Sequence, residues 1–405
     1  MNSTPAKLPL EFWNFIAAKL FFTLGLRMIT TIVIYQVFHL ADTFTVGIAG
    51  LTEFLPAVLT ALYAGHYIDT HNKRNILLGS YAAYILCGLL LGIISLGSLH
   101  INAANTVTII LAIVFCTGII RSFASPAATS MIANIVSRPQ LQQAVSVSSS
   151  SYLIASVVGH ASGGLLIALL GIANGYFVAA ALLAAAAFFA IKIKPKLPAI
   201  IVGIESKIES IKHGFRYVWN NKTLLGVISL DLFAVLFGGA VAFIPEVAEN
   251  VLHTGHIGYC FLNAALDLGS LLSILLLMAL PMRKKQGLKM MFAVAGFGMF
   301  IIIFGLSKIY WLSFLALGFA GFLDGISVVV RGTVAQLQTP DELRGRVSSI
   351  NMIFINSSNE LGQFESGITS KIMGTIPAIT FGGVMSILVV VGTWFKFPSL
   401  RKIEY

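Results

Sequence analysis

Charged side chains are scarce in this chain of 405 residues, which has 26 Lys and Arg and 16 Asp and Glu, or 10% of its residues. A soluble globular protein carries about 25% charged residues. Hydrophobic residues make up 57% of the chain, and apolar runs of roughly 20 residues, each long enough to cross a bilayer, recur along it. The scarcity of charge therefore argues against a water-soluble fold and predicts a polytopic membrane protein.

Regular alternation of apolar and polar residues is also missing. A transmembrane barrel alternates over strands of about ten residues, whereas the stretch 109–119 is apolar on nearly every side. The three cysteines have no metal-ligand spacing, so no metal site is expected. The N-terminus lacks a basic region, a short apolar core and a small-residue cleavage site, so we expect no cleaved signal peptide. These absences favour an all-α membrane protein.

Apolar runs separated by polar breaks predict twelve transmembrane helices in two six-helix bundles. The longest connection predicts an N-terminal bundle at 1–191, a cytoplasmic linker at 192–223 and a C-terminal bundle at 224–405. The predicted spans are 11–38, 44–68, 75–96, 106–132, 144–170, 174–191, 224–247, 257–280, 290–306, 311–334, 347–369 and 378–394. In the linker, apolar residues recur at helical spacing between basic ones, which predicts an amphipathic helix on the lipid bilayer surface.

Basic residues outside the spans fall almost entirely on one side, with Lys308 and Lys371 as the exceptions. Positively charged loops face the cytoplasm, so this distribution predicts that both termini are cytoplasmic. It also accounts for the net charge of +10 without a nucleic-acid partner. We expect a bacterial cytoplasmic (inner) membrane protein.

The two halves carry a faint internal repeat in two corresponding loops. Stretch 137–146 and stretch 339–348 match at a constant offset. The matching residues are Leu141, Val145 and Ser146 in the first loop and Leu343, Val347 and Ser348 in the second. Repeated six-helix bundles related by an axis along the membrane normal predict a cavity near the bilayer midplane, which suits a carrier.

The loop between the second and third spans reads GHYIDTHNKRN. It resembles the signature loop of the major facilitator superfamily, and the resemblance implies a gating motif of Gly65, Asp69, Lys73 and Arg74. We expect Gly65 to permit close helix approach and Asp69 to cap a helix start and pair with basic side chains. The alternative is a run of charged residues that only fixes the orientation of the protein in the membrane. The corresponding loop of the second half keeps its basic residues but lacks the aspartate.

Four further stretches, at 121–127, 230–245, 339–347 and 358–367, are similar to the exporter branch that contains enterobactin exporters and macrolide efflux proteins. The resemblance implies a monomeric proton antiporter that exports a small amphipathic substrate, such as a siderophore, with the proton gradient as energy source and no cofactor. A multidrug or lipid efflux carrier is the alternative, and so is a non-transporting receptor or scaffold with the same fold.

Charged residues within the spans are functional candidates, because each costs at least about 2.5 kcal/mol to insert. The candidates for proton coupling are Asp231, Glu360, Asp267 and Glu53. The candidates for substrate contact or charge pairing are Arg27, Arg121, Asp324, Arg331 and His160. Asp324 and Arg331 share a helix face, which predicts either a structural charge pair or a role in transport, and Lys19 is expected to extend toward a helix end.

Two positions depart from the related exporters. His160 replaces the proline of the fifth-span motif GPxxGG, and it is either a hydrogen-bonded packing residue or a proton carrier. Asp267 lies in an eighth-span stretch where Asn263 and Leu266 replace the usual Arg and Pro, so it is expected to tune cargo choice. Catalytic signatures, such as HExxH, a phosphate-binding glycine loop and a nucleophile elbow, are missing, so an enzyme is not expected.

Overall fold

The computed structural model describes residues 8–97, 100–195, 207–280, 282, 284–340 and 343–404. Within these ranges the chain is mostly helical and contains no strand. It divides into two compact units, residues 1–42 with 52–200 and residues 43–51 with 201–405. The all-α membrane fold predicted from the sequence is confirmed.

The first unit is built from five long helices, the second of which begins in the other unit. They are α1 (Leu10–Leu40), α2 (Thr43–Thr70), α3 (Lys73–Ile94), α4 (Ala103–Ile135) and α5 (Leu141–Ile191). Gly171 has a φ of +81°, which breaks α5 into two helical segments. Because the 51 residues of α5 exceed the roughly 20 that cross a bilayer, the break divides it into two spans.

The second unit contains the remaining helices. They are α6 (Lys207–Asn220), α7 (Lys222–Gly238), the single turn α8 (Ile244–Glu246), α9 (Gly255–Ala279), α10 (Gln286–Leu306), α11 (Tyr310–Leu337), α12 (Arg344–Met373) and α13 (Thr375–Lys396). The predicted seventh span is interrupted after Gly238 and continues through α8 into a π-helical turn at Val247–Val251.

The predicted count of twelve spans follows from these helices. Ten helical segments of the described chain are long and apolar enough to cross a membrane. One of them is α5, which its break divides in two, and α12 adds the last span. We attribute the lower hydropathy of α12 to polar residues such as Asn359, Glu360 and Gln363.

Apolar packing holds each unit together. The first unit contains a cluster that includes Phe12, Leu77 and Met131, each almost fully buried. The second unit contains a cluster that includes Val227 and Met290. Because protein interiors are closely packed, these clusters fix the helices that carry the polar side chains.

The beginning of α2 packs on α12 within the second unit. A Cβ atom at Gly47 would lie 2.9 Å from the carbonyl oxygen of Gln363 and 3.0 Å from the Cα atom of Gly367, so this contact requires glycine. The predicted domain boundaries at 191 and 224 stay a prediction. Within α2, Thr43–Leu51 belongs to the second unit and the remaining residues belong to the first.

Helix α6 lies where the linker was expected to form an amphipathic helix. Phe215 and Trp219 are exposed, and their rings stack with centroids 5.8 Å apart. Val218 is buried beside Leu224 and Ile228 of α7. Helix α6 therefore has one apolar side packed on α7 and an exposed aromatic pair. Residues 196–206 of the linker lie outside the described ranges.

Candidate functional sites

The most deeply buried charges lie in the second unit, where Asp231 on α7 meets Arg331 on α11. Nη1 of Arg331 forms an ion pair with Oδ2 of Asp231. The Ser327 hydroxyl donates a hydrogen bond of 2.9 Å to the other carboxylate oxygen, Oδ1. Asp231 is 4% exposed and Arg331 5%. Both oxygens of one buried carboxylate are therefore bound by α11.

Helix geometry explains why two residues of α11 reach the same carboxylate. Ser327 and Arg331 are four residues apart, so their side chains lie next to each other on one helix face. Removing one partner of a buried ion pair costs about 3–5 kcal/mol because the other charge is left uncompensated. A proton that neutralised Asp231 would have a comparable effect on Arg331. The charge state of Asp231 is thus linked to the packing of α7 against α11.

Arg331 does not pair with Asp324, and the expectation from the sequence is wrong. Seven residues separate the two along α11, which corresponds to roughly 10.5 Å of rise, too far for an ion pair. Asp324 instead lies near Asp267 of α9. Among the described residues, no group of three or more His, Cys, Asp or Glu side chains is arranged to hold a metal ion.

Close backbone contact brings α9 and α11 together beside these two aspartates. A Cβ atom at Gly269 would lie 1.9 Å from the carbonyl oxygen of Gly318. The Ser270 hydroxyl donates a hydrogen bond of 2.9 Å to the carbonyl oxygen of Gly321. Asp267 is therefore on a tightly packed helix pair, and its role in coupling or cargo choice stays a prediction.

Glu360, the other favoured coupling candidate, is buried in α12 with 6% of its surface exposed. A Cβ atom at Gly50 would lie 3.2 Å from its carbonyl oxygen. The beginning of α2 therefore packs on the backbone of α12 at this residue. Its predicted role in proton coupling stays a prediction.

The first unit contains a second ion pair, between Glu53 of α2 and Arg121 of α4. Oε1 of Glu53 and Nη1 of Arg121 are 3.1 Å apart, and the two side chains are 26% and 28% exposed. A Cβ atom at Gly118 would lie 2.2 Å from the carbonyl oxygen of Glu53. Glycine at 118 therefore allows the close approach of α4 and α2 that brings Arg121 to the carboxylate.

Helices α1 and α5 share a line of polar contacts in the first unit. Nη2 of Arg27 donates to the hydroxyl of Tyr152, and its guanidinium carbon lies 5.6 Å from the ring centroid. Nζ of Lys19 donates to the Ser148 hydroxyl at 2.6 Å. Lys19 thus binds a hydroxyl of α5, and its expected extension toward a helix end stays a prediction.

His160 continues the same line of contacts. Its Nδ1 lies 2.7 Å from the hydroxyl oxygen of Thr31, and 7% of its surface is exposed. The Thr31 hydroxyl also lies 2.9 Å from the carbonyl oxygen of Arg27, within hydrogen-bonding distance. This geometry favours the packing role for His160, and a role as proton carrier stays a prediction.

The signature loop is only partly described. Helix α3 is capped by Asn72, whose side chain accepts a hydrogen bond from the Arg74 amide. The expected cap by Asp69 is wrong because Asp69 lies in the last turn of α2, before this start. Its side chain lies outside the part of the chain that the structure describes.

Two other members of that loop can be placed. Nη2 of Arg74 donates a hydrogen bond of 2.6 Å to the carbonyl oxygen of Ile191, where the last turn of α5 offers free carbonyl groups. A Cβ atom at Gly65 would meet no described atom within 4 Å. The expected close helix approach at Gly65 therefore stays a prediction. The gating role of the loop, including Lys73, stays a prediction.

Three partner residues were missed by the sequence analysis, namely Ser327, Ser148 and Tyr152. Ser and Tyr are uncharged, so their presence inside a span does not mark them as functional candidates. Ser327 lies one turn before Arg331, and Ser148 lies one turn before Tyr152. Ser327 could be predicted as a partner because residues one helical turn from a charged residue lie on the same helix face.

Comparison with curated proteins identifies relatives that share part of this sequence. The chain is 29% identical to the enterobactin exporter EntS of Shigella flexneri over 236 residues, which cover 56% of this chain and 54% of the relative. It is 28% identical to EntS of Escherichia coli O1:K1 over 235 residues. The chain therefore spans about half the length of the curated relatives it matches.

Solved structures share the fold over nearly the whole chain. A D-xylose-proton symporter matches with a TM-score of 0.76 at 14% identity, and the match covers 97% of this chain and 99% of the symporter chain. A POT family transporter in complex with 5-aminolevulinic acid has a TM-score of 0.75 at 11% identity, with 97% of both chains covered. At these identities the likeness concerns the fold alone.

The family model described as Major Facilitator Superfamily matches residues 15–363. This range includes both ion pairs and the polar contacts between α1 and α5. It agrees with the helical fold and with the signature loop at 65–75. The chain belongs to the Major Facilitator Superfamily of membrane transporters.

Proposed function

We propose that this protein is a proton-coupled exporter of a small amphipathic molecule in the bacterial cytoplasmic membrane. The observation that carries the proposal is the buried cluster of Asp231, Arg331 and Ser327. A siderophore is the favoured cargo because the curated relatives are named enterobactin exporters. The distribution of basic residues supports cytoplasmic termini.

The ion pair provides a physical route to coupling. In the present structure Asp231 is bound by two groups of α11, which hold that helix against α7. Protonation of Asp231 removes the charge that compensates Arg331, so α11 is driven toward an arrangement in which the guanidinium finds another partner. Release of the proton restores the pair. A carboxylate inside a membrane is tolerated when it is neutralised or paired, and this site alternates between those two states.

The energy that proton movement supplies and the energy that opening the ion pair costs are of similar size. Breaking a buried pair costs about 3–5 kcal/mol. Moving one elementary charge through a potential of 100 mV supplies about 2.3 kcal/mol. Two protons moving through this potential supply about 4.6 kcal/mol, which lies within the range that opening the Asp231–Arg331 pair costs, whereas a single proton supplies less than that range.

Glu360 is the second coupling candidate. It is buried to the same degree as Asp231 and lies on α12, which packs against α7. Two carboxylates on neighbouring helices permit either one proton site or a relay of two. Replacing each by its amide separates these cases, since the amide removes the titratable proton and nearly preserves the shape.

The function is tested in two steps. Untargeted mass spectrometry of medium from cells with and without the protein identifies the exported metabolite. That metabolite is then added to proteoliposomes that contain the purified protein and a pH-sensitive dye. We expect cargo movement to be accompanied by proton movement in the opposite direction. Cargo movement without any proton movement would refute the coupling, and an unchanged metabolite profile would argue against export.

Amide variants localise the proton in the same proteoliposomes. We expect the double variant Asp231→Asn/Glu360→Gln to lose uphill accumulation. Asp42→Asn serves as the matched control, because Asp42 is an exposed carboxylate just after α1. If the double variant still accumulates cargo with an unchanged ratio of protons to cargo, neither residue is the coupling site. Attention would then move to Asp267, Glu53 and His160.

A further inference from the structure

Two cationic side chains of α1 share one aromatic ring of α5 in the first unit. Nζ of Lys19 lies 5.9 Å from the centroid of the Tyr152 ring, and the guanidinium carbon of Arg27 lies 5.6 Å from it. We propose that Lys19, Arg27, Ser148 and Tyr152 form a binding subsite for the anionic group of the exported molecule. The identification of this ligand as cargo rests on the proposed export function.

The placement of the two cations follows from helix geometry. Lys19 and Arg27 are eight residues apart, about two turns and roughly 12 Å along α1. Their long side chains span this distance and converge on Tyr152. The hydroxyl of Tyr152 accepts a hydrogen bond from Arg27 at one end of the site, and Ser148 binds Lys19 at the other.

Close helix packing fixes the position of Arg27. A Cβ atom at Gly159 would lie 2.7 Å from the Cβ atom of Arg27 and 2.9 Å from the carbonyl oxygen of Leu24. The backbone of α5 thus presses on the stem of Arg27, two turns after Tyr152. A cation held in place before binding loses less freedom when a ligand arrives, which favours recognition.

Lys19 is held by neutral groups. Its Nζ donates to the Ser148 hydroxyl at 2.6 Å and to the Ser148 carbonyl oxygen at 3.4 Å. No ion pair joins Lys19 to any residue within the described part of the chain. A cation inside a membrane protein is costly and marks a functional site by default. Hydroxyl and carbonyl oxygens position the ammonium group but leave its positive charge for a ligand to balance.

The chemistry of the subsite indicates the class of ligand. Arg27 presents a planar guanidinium that suits a carboxylate or another planar anion, and Lys19 supplies a compact point charge. Tyr152 is 38% exposed, so an aromatic or apolar body can pack against it. We therefore infer an amphipathic organic anion, one that combines an acidic group with an aromatic or apolar body.

The test uses a pair of fluorescent probes with the same ring system. The anionic probe is 8-anilino-1-naphthalenesulfonate and the neutral probe is N-phenyl-1-naphthylamine. The full chain is placed in phosphatidylcholine nanodiscs, and the signal of empty nanodiscs is subtracted. We expect Lys19→Met and Arg27→Met each to weaken binding of the anionic probe at least about tenfold, equivalent to about 1.4 kcal/mol. Affinity for the neutral probe should change by less than about twofold.

Conservative and distant variants complete the design. Lys19→Arg keeps the charge and should retain affinity for the anionic probe within about threefold. Lys192→Met is the matched control, because Lys192 also lies over an aromatic ring, 4.2 Å from the Phe188 centroid, but is exposed at the end of α5. It should leave the affinity unchanged. Equal loss in Lys192→Met would overturn the proposal.

Competition on the wild-type protein needs no variant to fold. We expect benzoate to displace the anionic probe and its neutral analogue benzyl alcohol to be ineffective at the same concentration. Equal displacement by both, or no saturable binding of the anionic probe, would refute the site. Displacement by inorganic phosphate as strong as that by benzoate would assign the site to a simple anion and refute an amphipathic ligand. Binding that disappears in phosphatidylglycerol nanodiscs would assign it to a lipid headgroup.

The site and the export function fail in different ways. Probe binding that depends on Lys19 and Arg27, in a protein that moves no metabolite, would contradict the proposed function and leave an anion site. Export that proceeds at the wild-type rate in both Lys19→Met and Arg27→Met would contradict the subsite and leave the export function intact.

Discussion

Two ion pairs within the described part of the chain have the same chemistry and different surroundings. In the first unit, Glu53 and Arg121 retain 26% and 28% exposure, whereas in the second unit the Asp231 and Arg331 side chains retain 5% and 6%. Ser327 adds a hydrogen bond to the buried pair. A partly exposed pair is screened and worth about 0–1 kcal/mol, while breaking a buried pair costs about 3–5 kcal/mol. Burial, rather than the presence of opposite charges, therefore distinguishes the pair that we propose for coupling.

The largest expected effect comes from breaking the buried pair. Arg331→Met leaves the Asp231 carboxylate without its cation and should lower the free energy of unfolding by about 3–5 kcal/mol. Thermal unfolding of the purified protein measures the change. The double variant Asp231→Asn/Arg331→Met removes both charges and should be more stable than Arg331→Met alone. If the double variant is as unstable as Arg331→Met, the uncompensated Asp231 charge is not the cause of the lost stability.

An intermediate effect is expected from the close helix contact that supports the exposed pair. In Gly118→Ala the new Cβ atom would lie 2.2 Å from the Glu53 carbonyl oxygen and 2.8 Å from Cγ of Pro56, so α2 and α4 must separate. Overpacking of this kind costs about 1–3 kcal/mol. The matched control is Gly65→Ala in α2, where a Cβ atom would meet no described atom within 4 Å.

Thermal unfolding of the two glycine variants gives opposite expectations. Gly118→Ala should unfold at a lower temperature than the wild type. Gly65→Ala should be unchanged or more stable by up to about 1 kcal/mol, because alanine favours a helix interior over glycine. Equal stability of the two variants would argue against a backbone contact at Gly118.

The smallest effect is expected from the exposed pair itself. Arg121→Met should lower the free energy of unfolding by less than about 1 kcal/mol, the value typical of a pair whose side chains are not fully buried. The same thermal assay measures it beside Arg331→Met. An equal loss of stability in Arg121→Met and Arg331→Met would remove the difference between the two units.

The fold could be predicted from local sequence, but the partners of its charges could not. Apolar runs of sufficient length located the helices, and even the division of α5 at Gly171 matched a short break between two predicted spans. Asp231 and Arg331 were both identified as charges inside spans. Their pairing depends on how α7 packs against α11, which no local pattern encodes. The spacing on α11 instead suggested Asp324, although seven residues of helix rise roughly 10.5 Å and keep the two apart.

The subsite between α1 and α5 shows the same limit. Arg27 and Lys19 were visible as charges, but Tyr152 and Ser148 carried no signal of their own. Nζ of Lys19 binds a hydroxyl of the adjacent helix at 2.6 Å, a contact that the position of Lys19 along α1 does not predict. Short-range spacing therefore predicts candidates, and helix packing selects among them.

One measurement tests the central claim, that the carboxylate of the Asp231–Arg331 pair couples proton flow to export and that of the Glu53–Arg121 pair does not. Proteoliposomes with an imposed pH gradient are used to measure uphill accumulation of the exported metabolite for the wild type, Asp231→Asn and Glu53→Gln. We expect Asp231→Asn to lose uphill accumulation while it still exchanges labelled for unlabelled cargo, and Glu53→Gln to accumulate cargo as the wild type does. Accumulation by Asp231→Asn at the wild-type ratio of protons to cargo would contradict the account.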